Sequence, residues 1–407
     1  MLGFVLNTHQ QWLCRQLAYA GYDVARQTAI ADTAAAIQQT VRESLGRADF
    51  IIVTGGLGPT SDDLTRDLIA ELLGIKLRMD AAILTQLENF FASRGRPMPE
   101  TTKVQAQVPE GALVLPNPHG TAPGLVMEIS PNPFRTGGKT SWLVMLPGPP
   151  RELRPMFTNH VLPLLRLKFP LETTFVCRTF RTTGIGESIV EEKIAGPLQP
   201  LIAEGLELGY CAHYGQADVR LVARGIGAEE IVSAGEIIIR EKLGPHIFGT
   251  GDEQLNEVVV RLLTERKQTL VLAESCTGGY VANRITDVSG ASAVFLCGLV
   301  TYSNAAKQQL LGVRSETLAQ HGAVSEATVR EMAEGARTRH GADYALAITG
   351  IAGPSGGTAD KPVGTVFIAL ATDKHTYVLN PINRFDRPTF KEITCNQALE
   401  LLRRSLF

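Results

Sequence analysis

Residues 269–279 join an apolar run to a turn of small residues, in the sequence Thr269-Leu270-Val271-Leu272-Ala273-Glu274-Ser275-Cys276-Thr277-Gly278-Gly279. The apolar run is short, which predicts a buried strand over 269–273. The two glycines indicate a tight turn that leads into a helix over 278–286. Ser275 and Thr277 therefore fall on the turn, where the free N–H groups of a helix start surround them and where we expect the serine side chain to be exposed.

A second apolar run over 293–301 leads into Thr301-Tyr302-Ser303-Asn304-Ala305-Ala306-Lys307. If both runs are strands of one sheet, Ser275 and Lys307 are expected at the same edge of it. Ser275 suits a nucleophile that attacks a carbonyl carbon, because the N–H groups of residues 277–279 would hold the developing oxyanion. Lys307 suits its base, since burial or neighbouring cations lower the pKa of a lysine and leave part of it neutral.

Simpler interpretations of these residues stay open on sequence alone. Ser275 is also suited to cap the following helix, and Lys307 to lie on a solvated helix face. Cys276 is an alternative nucleophile, although the local sequence offers no histidine partner of the kind that cysteine hydrolases use.

Length and charge limit the class of protein. The chain has 407 residues, enough for two or three domains, and a formal net charge of −2. This balance argues against a nucleic-acid or membrane partner that is attracted electrostatically. The sequence has no apolar run of the roughly 18 residues that cross a bilayer, and its N-terminus lacks the layout of a signal peptide. We expect a cytoplasmic protein without direct nucleic-acid or membrane partners.

The six cysteines are scattered along the chain and include no Cys-x-x-Cys pair. This spacing indicates neither a zinc site nor a disulfide framework. We expect them to be small buried hydrophobic residues.

The segment 1–168 alternates helical and strand patterns, which is typical of an α/β layer fold with a mainly parallel sheet. The patterns predict helices over 9–20, 33–45 and 64–73 and strands over 23–28 and 50–54.

A glycine-rich turn follows the strand over 50–54 and reads Gly55-Gly56-Leu57-Gly58-Pro59-Thr60-Ser61-Asp62-Asp63. Its backbone N–H groups suit an anion, and its two aspartates suit a divalent metal. The alternative is a plain turn in which one aspartate caps the next helix. A strand-turn-helix pattern over 142–152 predicts the opposite wall of this crevice. The candidate crevice residues are Gly56, Gly58, Thr60, Asp62 and Asp63, with the last two as candidate metal ligands.

The remaining chain divides into two further segments. Residues 169–250 have a strand-helix-strand-helix pattern without a reactive group of residues, and we expect a small connecting α+β domain. Residues 251–407 alternate helices and strands again, which predicts an α/β domain that contains Ser275 and Lys307.

Ordered motifs along the whole chain resemble those of the CinA-like (competence/damage-inducible protein A) family. The resemblance implies a molybdopterin-binding-like three-layer α/β/α domain at the N-terminus and a nicotinamide-nucleotide amidase domain at the C-terminus. The C-terminal motifs are Ala273-Glu274-Ser275-Cys276-Thr277-Gly278-Gly279, Val300-Thr301-Tyr302-Ser303-Asn304, Lys307, Leu310-Leu311-Gly312-Val313, Gly322-Ala323-Val324-Ser325, Thr349-Gly350-Ile351-Ala352-Gly353-Pro354 and Lys361-Pro362-Val363-Gly364-Thr365-Val366. The N-terminal motifs are Asn7-Thr8, Gly55 to Asp63, Leu146-Pro147-Gly148-Pro149-Pro150 and Gly186-Glu187.

The beginning of the chain departs from this resemblance. The family usually opens with a strand and an acidic turn before the Asn7-Thr8 pair, whereas this sequence opens with Met1-Leu2-Gly3-Phe4-Val5-Leu6. We therefore expect the first strand of the 1–168 domain and its carboxylates to be missing. The unfilled sheet position is expected to cost stability and to weaken any activity in the crevice.

The resemblance implies hydrolysis of the carboxamide of nicotinamide mononucleotide to nicotinate mononucleotide and ammonia, in pyridine nucleotide salvage. Ser275 would attack, Lys307 would carry the proton, and Tyr302 would orient the lysine or the substrate. The N–H groups near Thr277, Gly278 and Gly279 would hold the oxyanion, so no cofactor is expected for this reaction.

The nucleotide phosphate needs a second anchor. The turn after the apolar run 345–349 allows a close approach of backbone to ligand at Gly350, Ala352 and Gly353. Arg387 matches an arginine of the family and suits a bidentate phosphate contact. Its neighbours Phe385 and Pro388 stand where the family commonly has glycine and an acidic residue.

Two other functions remain as alternatives. The N-terminal crevice is similar to that of ADP-ribose diphosphatases that use a divalent metal. The family name also suggests a non-catalytic binding protein in competence or DNA damage, although no basic stretch with interleaved aromatic residues favours direct DNA binding. A small nucleotide is the expected ligand, and a homodimer the expected assembly.

Overall fold

The computed structural model describes residues 6–407. It divides into two compact units, one ending at Glu172 and the other running from Thr173 to Phe407. The prediction that the first strand is missing concerns the segment before Asn7, and residues 1–5 lie outside the described part of the chain.

The N-terminal unit alternates helices with short strands, as its sequence pattern predicts. Its described helices are α1 (Thr8–Tyr19), α2 (Ala34–Leu45), α3 (Thr65–Leu73), α4 (Ala81–Ala92), α5 (Pro150–Met156) and α6 (Leu162–Lys168). Its described strands are β1 (Phe50–Thr54), β2 (Leu77–Met79), β3 (Gln107–Pro109), β4 (Leu113–Leu115), β5 (Gly124–Ile129) and β6 (Ser141–Leu146).

The central sheet of this unit has the order β1-β6-β5-β4 and is covered on both faces. Alternate residues of β6 point to opposite cores: Leu143 and Met145 pack in a cluster with α2, α3 and α4, whereas Val144 and Leu146 pack in a cluster with α1 and α5. This alternation follows from the period of two of a strand. The expected three-layer α/β/α fold is confirmed.

Two sequence predictions for this unit are wrong. The sheet is not mainly parallel, because only β1 and β6 pair in parallel, while β5 pairs antiparallel with both β6 and β4. Short connections join β4 to β5 and β5 to β6, and they leave no room for the crossover that parallel pairing needs. The predicted strand over 23–28 is an exposed segment outside the sheet, because its few apolar residues pack against no core.

The C-terminal unit contains two further sheets. Its described helices are α7 (Glu187–Ala203), α8 (Ala228–Leu243), α9 (Leu255–Arg266), α10 (Tyr280–Thr286), α11 (Asn304–Leu311), α12 (Ser315–His321), α13 (Glu326–His340) and α14 (Arg387–Ser405). Its described strands are β7 (Phe175–Thr183), β8 (Glu207–His213), β9 (Gln216–Arg224), β10 (Ile247–Thr250), β11 (Leu270–Glu274), β12 (Phe295–Val300), β13 (Tyr344–Gly350), β14 (Val366–Ala371) and β15 (Thr376–Leu379).

The first of these sheets is antiparallel and has the order β10-β7-β9-β8. Buried residues of β7 and β9 pack with buried residues of α7 and α8 in one core. This is the α+β arrangement that the strand-helix-strand-helix pattern predicts.

The second sheet has the order β12-β11-β13-β14-β15, and its first three strands are parallel. Alternate residues of β11 again serve two cores: Leu270 and Leu272 pack on the side of α9 and α14, and Val271 and Ala273 pack on the side of α13. Since β11 and β12 are parallel neighbours, the residues that follow them meet at one sheet edge.

Within residues 6–407, no helix has the length and apolar character that a membrane span requires.

Candidate active site

Ser275 is the first residue beyond β11, and its position is fixed by backbone hydrogen bonds. Its N–H donates to the carbonyl of Ile348 at 3.0 Å, and its carbonyl accepts from the N–H of Gly278 at 3.1 Å. Gly278 and Gly279 have φ values of +62° and +89°, a region that disfavours residues with a Cβ. Ser275 is only 8% exposed, so the prediction that its side chain is exposed is wrong. It faces a pocket instead of the surface.

Glu274 is a site residue that the sequence analysis missed. Its side chain is buried, and its carboxylate accepts from the N–H groups of Gly279 at 3.0 Å, Val281 at 3.2 Å and Ala282 at 2.8 Å. A carboxylate at the start of α10 is favourable because the N–H groups there lack helical partners. The glutamate thereby fixes the turn that carries Ser275. An acidic residue shortly before a predicted helix start is the signal that would have suggested it.

Lys307 lies on α11, which Ser303 caps through a hydrogen bond to the N–H of Ala306 at 3.1 Å. The lysine is 1% exposed, and its Nζ lies 3.1 Å from the Oγ of Ser275. It also donates to the carbonyls of Thr301 at 2.7 Å and Tyr302 at 3.4 Å. Burial lowers the pKa of Lys307 from its ordinary value.

These contacts suit a neutral amine that accepts a proton. Two N–H bonds of the amine are directed to the carbonyls of Thr301 and Tyr302. The remaining lone pair then faces the Ser275 hydroxyl. The geometry places a nucleophile and a base within hydrogen-bond reach of each other, as general-base activation requires.

The N–H groups of the turn are used differently from the prediction. The N–H of Gly278 is bonded to the Ser275 carbonyl and that of Gly279 to Glu274, so neither is free for an oxyanion. In the described chain, the N–H groups of Cys276 and Thr277 have no oxygen acceptor. Cys276 lines the pocket that Ser275 faces, whereas Thr277 has no accessible surface, so the N–H of Cys276 is the better placed of the two for an oxyanion. Thr277 is fully buried, and its hydroxyl has no hydrogen-bond partner among the described residues.

Cys276 does not fit the role of nucleophile. Its side chain is buried, and burial raises the pKa of its thiol to about 12. A thiol of this kind stays protonated near neutral pH, and the thiolate is the reactive form.

A cavity of about 280 Å³ adjoins Ser275 and Lys307. Residues of four chain segments line it together with Arg387: Ser275, Cys276, Tyr302, Lys307, Ala323, Val324, Thr349, Gly350, Ile351, Ala352, Gly353, Ser355 and Gly356. The cavity therefore brings the predicted nucleophile and base together with the predicted turn at Gly350, Ala352 and Gly353. Thr277, Gly278 and Gly279 lie beside it and outside its lining.

Arg387 is the first residue of α14, which Asp386 caps by accepting from the N–H of Thr389 at 2.9 Å. One arm of its guanidinium donates to the carbonyl of Gly353 at 3.0 Å, and the other to the Tyr302 hydroxyl at 2.9 Å. Tyr302 thus contacts the base through its carbonyl and the arginine through its hydroxyl. The arginine is held at the cavity wall with its fork already oriented.

The N-terminal crevice forms a turn that is closed on itself. The Asp63 carboxylate accepts from the backbone N–H of Thr60 at 3.0 Å and also from its hydroxyl. A Cβ on Gly56 would lie 2.1 Å from the Thr65 hydroxyl, and one on Gly58 would lie 2.3 Å from the Asp63 carboxylate. Both glycines are therefore required by close packing within the turn.

The metal predicted for this crevice would be held by Asp62 and Asp63. Asp62 is fully exposed, and the pKa of its carboxyl is lowered by its polar surroundings, the Thr60 side chain first and its own backbone second. Within the described residues, no group of three or more histidine, cysteine, aspartate or glutamate side chains is placed to hold a metal ion. The metal at Asp62 and Asp63 stays a prediction.

Three sequence families match successive parts of the chain. They are described as a probable molybdopterin binding domain over 1–167, the damage-inducible protein CinA KH domain over 177–249 and the CinA C-terminal domain over 252–406. A CinA-like protein of Akkermansia muciniphila is 44% identical over 400 residues, which cover 98% of this chain and 93% of that protein. The chain belongs to the CinA family.

Solved structures of CinA proteins cover part of this chain. A competence-damaged protein (CinA) superfamily member of Klebsiella pneumoniae is 39% identical and covers 37% of this chain and 95% of its own, with a TM-score of 0.37. A competence/damage inducible protein of Agrobacterium tumefaciens is 40% identical and covers 38% of this chain and 96% of its own, with a TM-score of 0.36. Hereafter the KH domain means residues 177–249 and the CinA C-terminal domain means residues 252–406.

Proposed function

We propose that the CinA C-terminal domain is an amidase that hydrolyses the carboxamide of nicotinamide mononucleotide to nicotinate mononucleotide and ammonia. The observation that carries this proposal is the 3.1 Å distance between the Nζ of Lys307 and the Oγ of Ser275. A buried lysine in contact with a serine at a pocket wall is a recurrent way to activate a serine nucleophile.

In the first half of the reaction, the Ser275 oxygen forms a bond to the carboxamide carbon. Neutral Lys307 takes the serine proton, and the N–H group of Cys276 at the cavity wall holds the negative charge on the carbonyl oxygen. The ammonium of Lys307 then gives its proton to the amide nitrogen. The carbon–nitrogen bond breaks, and ammonia leaves an ester between Ser275 and the nicotinate group.

In the second half, water replaces ammonia. Lys307 is neutral again and takes a proton from the water as its oxygen attacks the ester carbon. The same proton returns to the Ser275 oxygen when the ester bond breaks. The product is a carboxylic acid, which ionises in water, and both residues are restored.

The composition of the cavity wall supports an anionic substrate. The guanidinium of Arg387 gives the cavity wall a positive charge. None of the lining residues in the described chain is an aspartate or glutamate. Arg387 and the backbone of residues 350–356 are suited to hold the phosphate of a nucleotide. This arrangement leaves the base of the nucleotide to reach Ser275.

The test is ammonia release from nicotinamide mononucleotide by the full chain and by two variants. We expect Ser275→Ala and Lys307→Ala each to lower the rate by more than about 10³-fold, because each removes a group that the first step requires. Ser289→Ala and Lys374→Ala are matched controls, since both residues are exposed and lie outside the cavity.

Circular dichroism of every variant checks that loss of activity is not loss of fold. If the folded wild type releases no ammonia, the amidase proposal is wrong. Equal activity of wild type and Ser275→Ala would assign the reaction to another group. ADP-ribose hydrolysis by the N-terminal crevice would then be the next activity to measure.

A further inference from the structure

We infer that the tip of the β8–β9 hairpin in the KH domain positions the substrate arginine of the CinA C-terminal domain. Tyr214 and Phe385 are the positioning residues, and they act on Arg387. The inference rests on the proposed function, since it assigns the phosphate of the substrate to Arg387.

The hairpin tip contacts the C-terminal domain at two points. The ring of Tyr214 packs edge-on against the ring of Phe385, with centroids 6.5 Å apart and planes at 66°. The carbonyl of Tyr214 accepts from the Nδ2 of Asn396 on α14 at 2.8 Å. Edge-to-face packing and a hydrogen bond together fix both the distance and the direction of the contact.

Tyr214 is held by the hairpin itself. His213 and Gln216 are the last paired residues of β8 and β9, so Tyr214 and Gly215 form a two-residue turn. Gly215 has a φ of +76°, a left-handed conformation that glycine adopts without the cost of a Cβ. The end of the ladder therefore fixes the backbone of Tyr214 beside Phe385.

Phe385 is two residues before Arg387, and the intervening Asp386 caps α14. The N–H of Phe385 donates to the carbonyl of Asn383 at 3.0 Å. The ring of Phe385 is half exposed, and Tyr214 is the aromatic partner recorded for it in the described structure. The hairpin tip thus packs against Phe385 at one end of the segment 385–387. At the other end, Arg387 donates to the Tyr302 hydroxyl and to the Gly353 carbonyl.

The KH domain is firmly attached on either side of this contact. The Arg181 guanidinium donates to the carbonyl of Glu253 at 3.0 Å, and buried Arg403 on α14 donates to the carbonyl of Pro245. These attachments make the hairpin tip a fixed support. A change at the tip is expected to loosen the Arg387 turn and to leave Ser275 and Lys307 unchanged.

The kinetic test uses Tyr214→Ala and Phe385→Ala in the full chain. We expect KM for nicotinamide mononucleotide to rise about three- to tenfold with kcat unchanged, the size expected for losing one aromatic pair. Nicotinamide riboside lacks the phosphate, so its kcat/KM should not change. Tyr214→Phe should retain the wild-type KM. Tyr377→Ala is the matched control, because Tyr377 is equally exposed and packs edge-on against His375.

A second measurement does not depend on activity. Hydrogen exchange of the full chain should become about three- to tenfold faster at the amides of Phe385 and Thr389 in Tyr214→Ala and not in Tyr377→Ala. Unchanged exchange at both amides would overturn the inference. An equal loss of kcat/KM for nicotinamide riboside would show that the hairpin does not act through a phosphate contact and would also overturn it.

The two measurements separate this inference from the proposed function. If wild type releases no ammonia but exchange rises in Tyr214→Ala, the proposed substrate is wrong and the support of the Arg387 turn stands. If ammonia is released and neither KM nor exchange responds, the amidase stands and the positioning role is wrong.

Discussion

Lys307 illustrates how burial turns a residue that is usually a cation into a base. It is 1% exposed, and its polar neighbours are neutral: the Ser275 hydroxyl and two backbone carbonyls. Removing the ammonium form from water without a carboxylate partner disfavours the charge. The lowered pKa follows from this environment.

The pH dependence of ammonia release tests this property. Below the pKa of Lys307 the amine is protonated and cannot take the Ser275 proton, so kcat/KM should fall as the pH is lowered through that pKa. Because the pKa is lowered, the fall should lie below the ordinary lysine value of 10.5. A pH series of initial rates measures it.

Lys307→Arg is the control for this pH profile. Arginine stays charged at all accessible pH values, so the variant should be inactive at every pH at which it is folded. A wild-type kcat/KM that does not fall on acidification at any pH at which the enzyme is folded would contradict the role of Lys307 as base.

The sequence predicted that Ser275 and Lys307 lie at the same sheet edge, because this placement depends on residue type and strand order. Ser275 and Lys307 follow parallel neighbours, so their approach could be inferred from two apolar runs. The role of Glu274 was missed, because it depends on where α10 begins relative to β11. The burial of Ser275 was missed for a similar reason, since distant residues 349–356 complete the pocket.

At the scale of elements, the crossing of α11 and α13 sets the position of the base. A Cβ on Gly335 of α13 would lie 1.7 Å from the carbonyl oxygen of Leu311, the last residue of α11. The two helices are thus in contact through backbone at this point. Lys307 is one turn before Leu311 on the same helix, so any displacement of α11 moves its amine.

We expect Gly335→Ala to destabilise the protein by about 1–3 kcal/mol, because the added methyl group forces α11 away from α13. The same shift should lower kcat for ammonia release by at least about tenfold, since small misplacements of a catalytic group are costly. Urea denaturation and initial rates measure the two effects.

Thr338→Ala is the matched control, because Thr338 is an exposed residue of the same helix. Its effect on stability should stay within about 0.5 kcal/mol and its kcat should be unchanged. A Gly335→Ala enzyme with wild-type stability would show that the helices separate without cost, contrary to this account.

The order of helices and strands was largely predictable, because amphipathic helices and apolar runs are local patterns. The prediction of a strand over 23–28 was wrong, because a few apolar residues suggest a strand even where no neighbouring strand is available to pair with it. The prediction of a mainly parallel sheet was wrong, because the strand directions depend on the lengths of the connections before and after β5. Neither property is written in the residues of the strand itself.

At the scale of the molecule, α14 joins the KH domain to the active site. Its first residue is Arg387. Near its end the buried guanidinium of Arg403 donates to Glu400 at 2.6 Å and to the carbonyls of Pro245 and Ile247. Arg403 is 2% exposed, so these bonds form out of water.

The predicted homodimer stays a prediction.

We expect Arg403→Met to destabilise the C-terminal unit by about 3–5 kcal/mol, because it leaves buried carbonyls and much of the Glu400 charge without a partner. Urea denaturation should then show the KH domain unfolding before the CinA C-terminal domain. Arg404→Met is the comparison, since its side chain is 42% exposed and also contacts Glu400. Its cost should stay below about 1 kcal/mol. Equal costs for the two variants would refute the special position of Arg403.

The neighbour of the nucleophile has a consequence for chemical probes. With a pKa of about 12 and a buried side chain, the Cys276 thiol offers almost no thiolate to an electrophile near neutral pH. Alkylating reagents such as iodoacetamide should therefore leave this pocket unmodified, although a cysteine adjoins the reactive serine. Acylating reagents that respond to an activated hydroxyl should label Ser275 instead, and a covalent inhibitor of the pocket is better built on that chemistry.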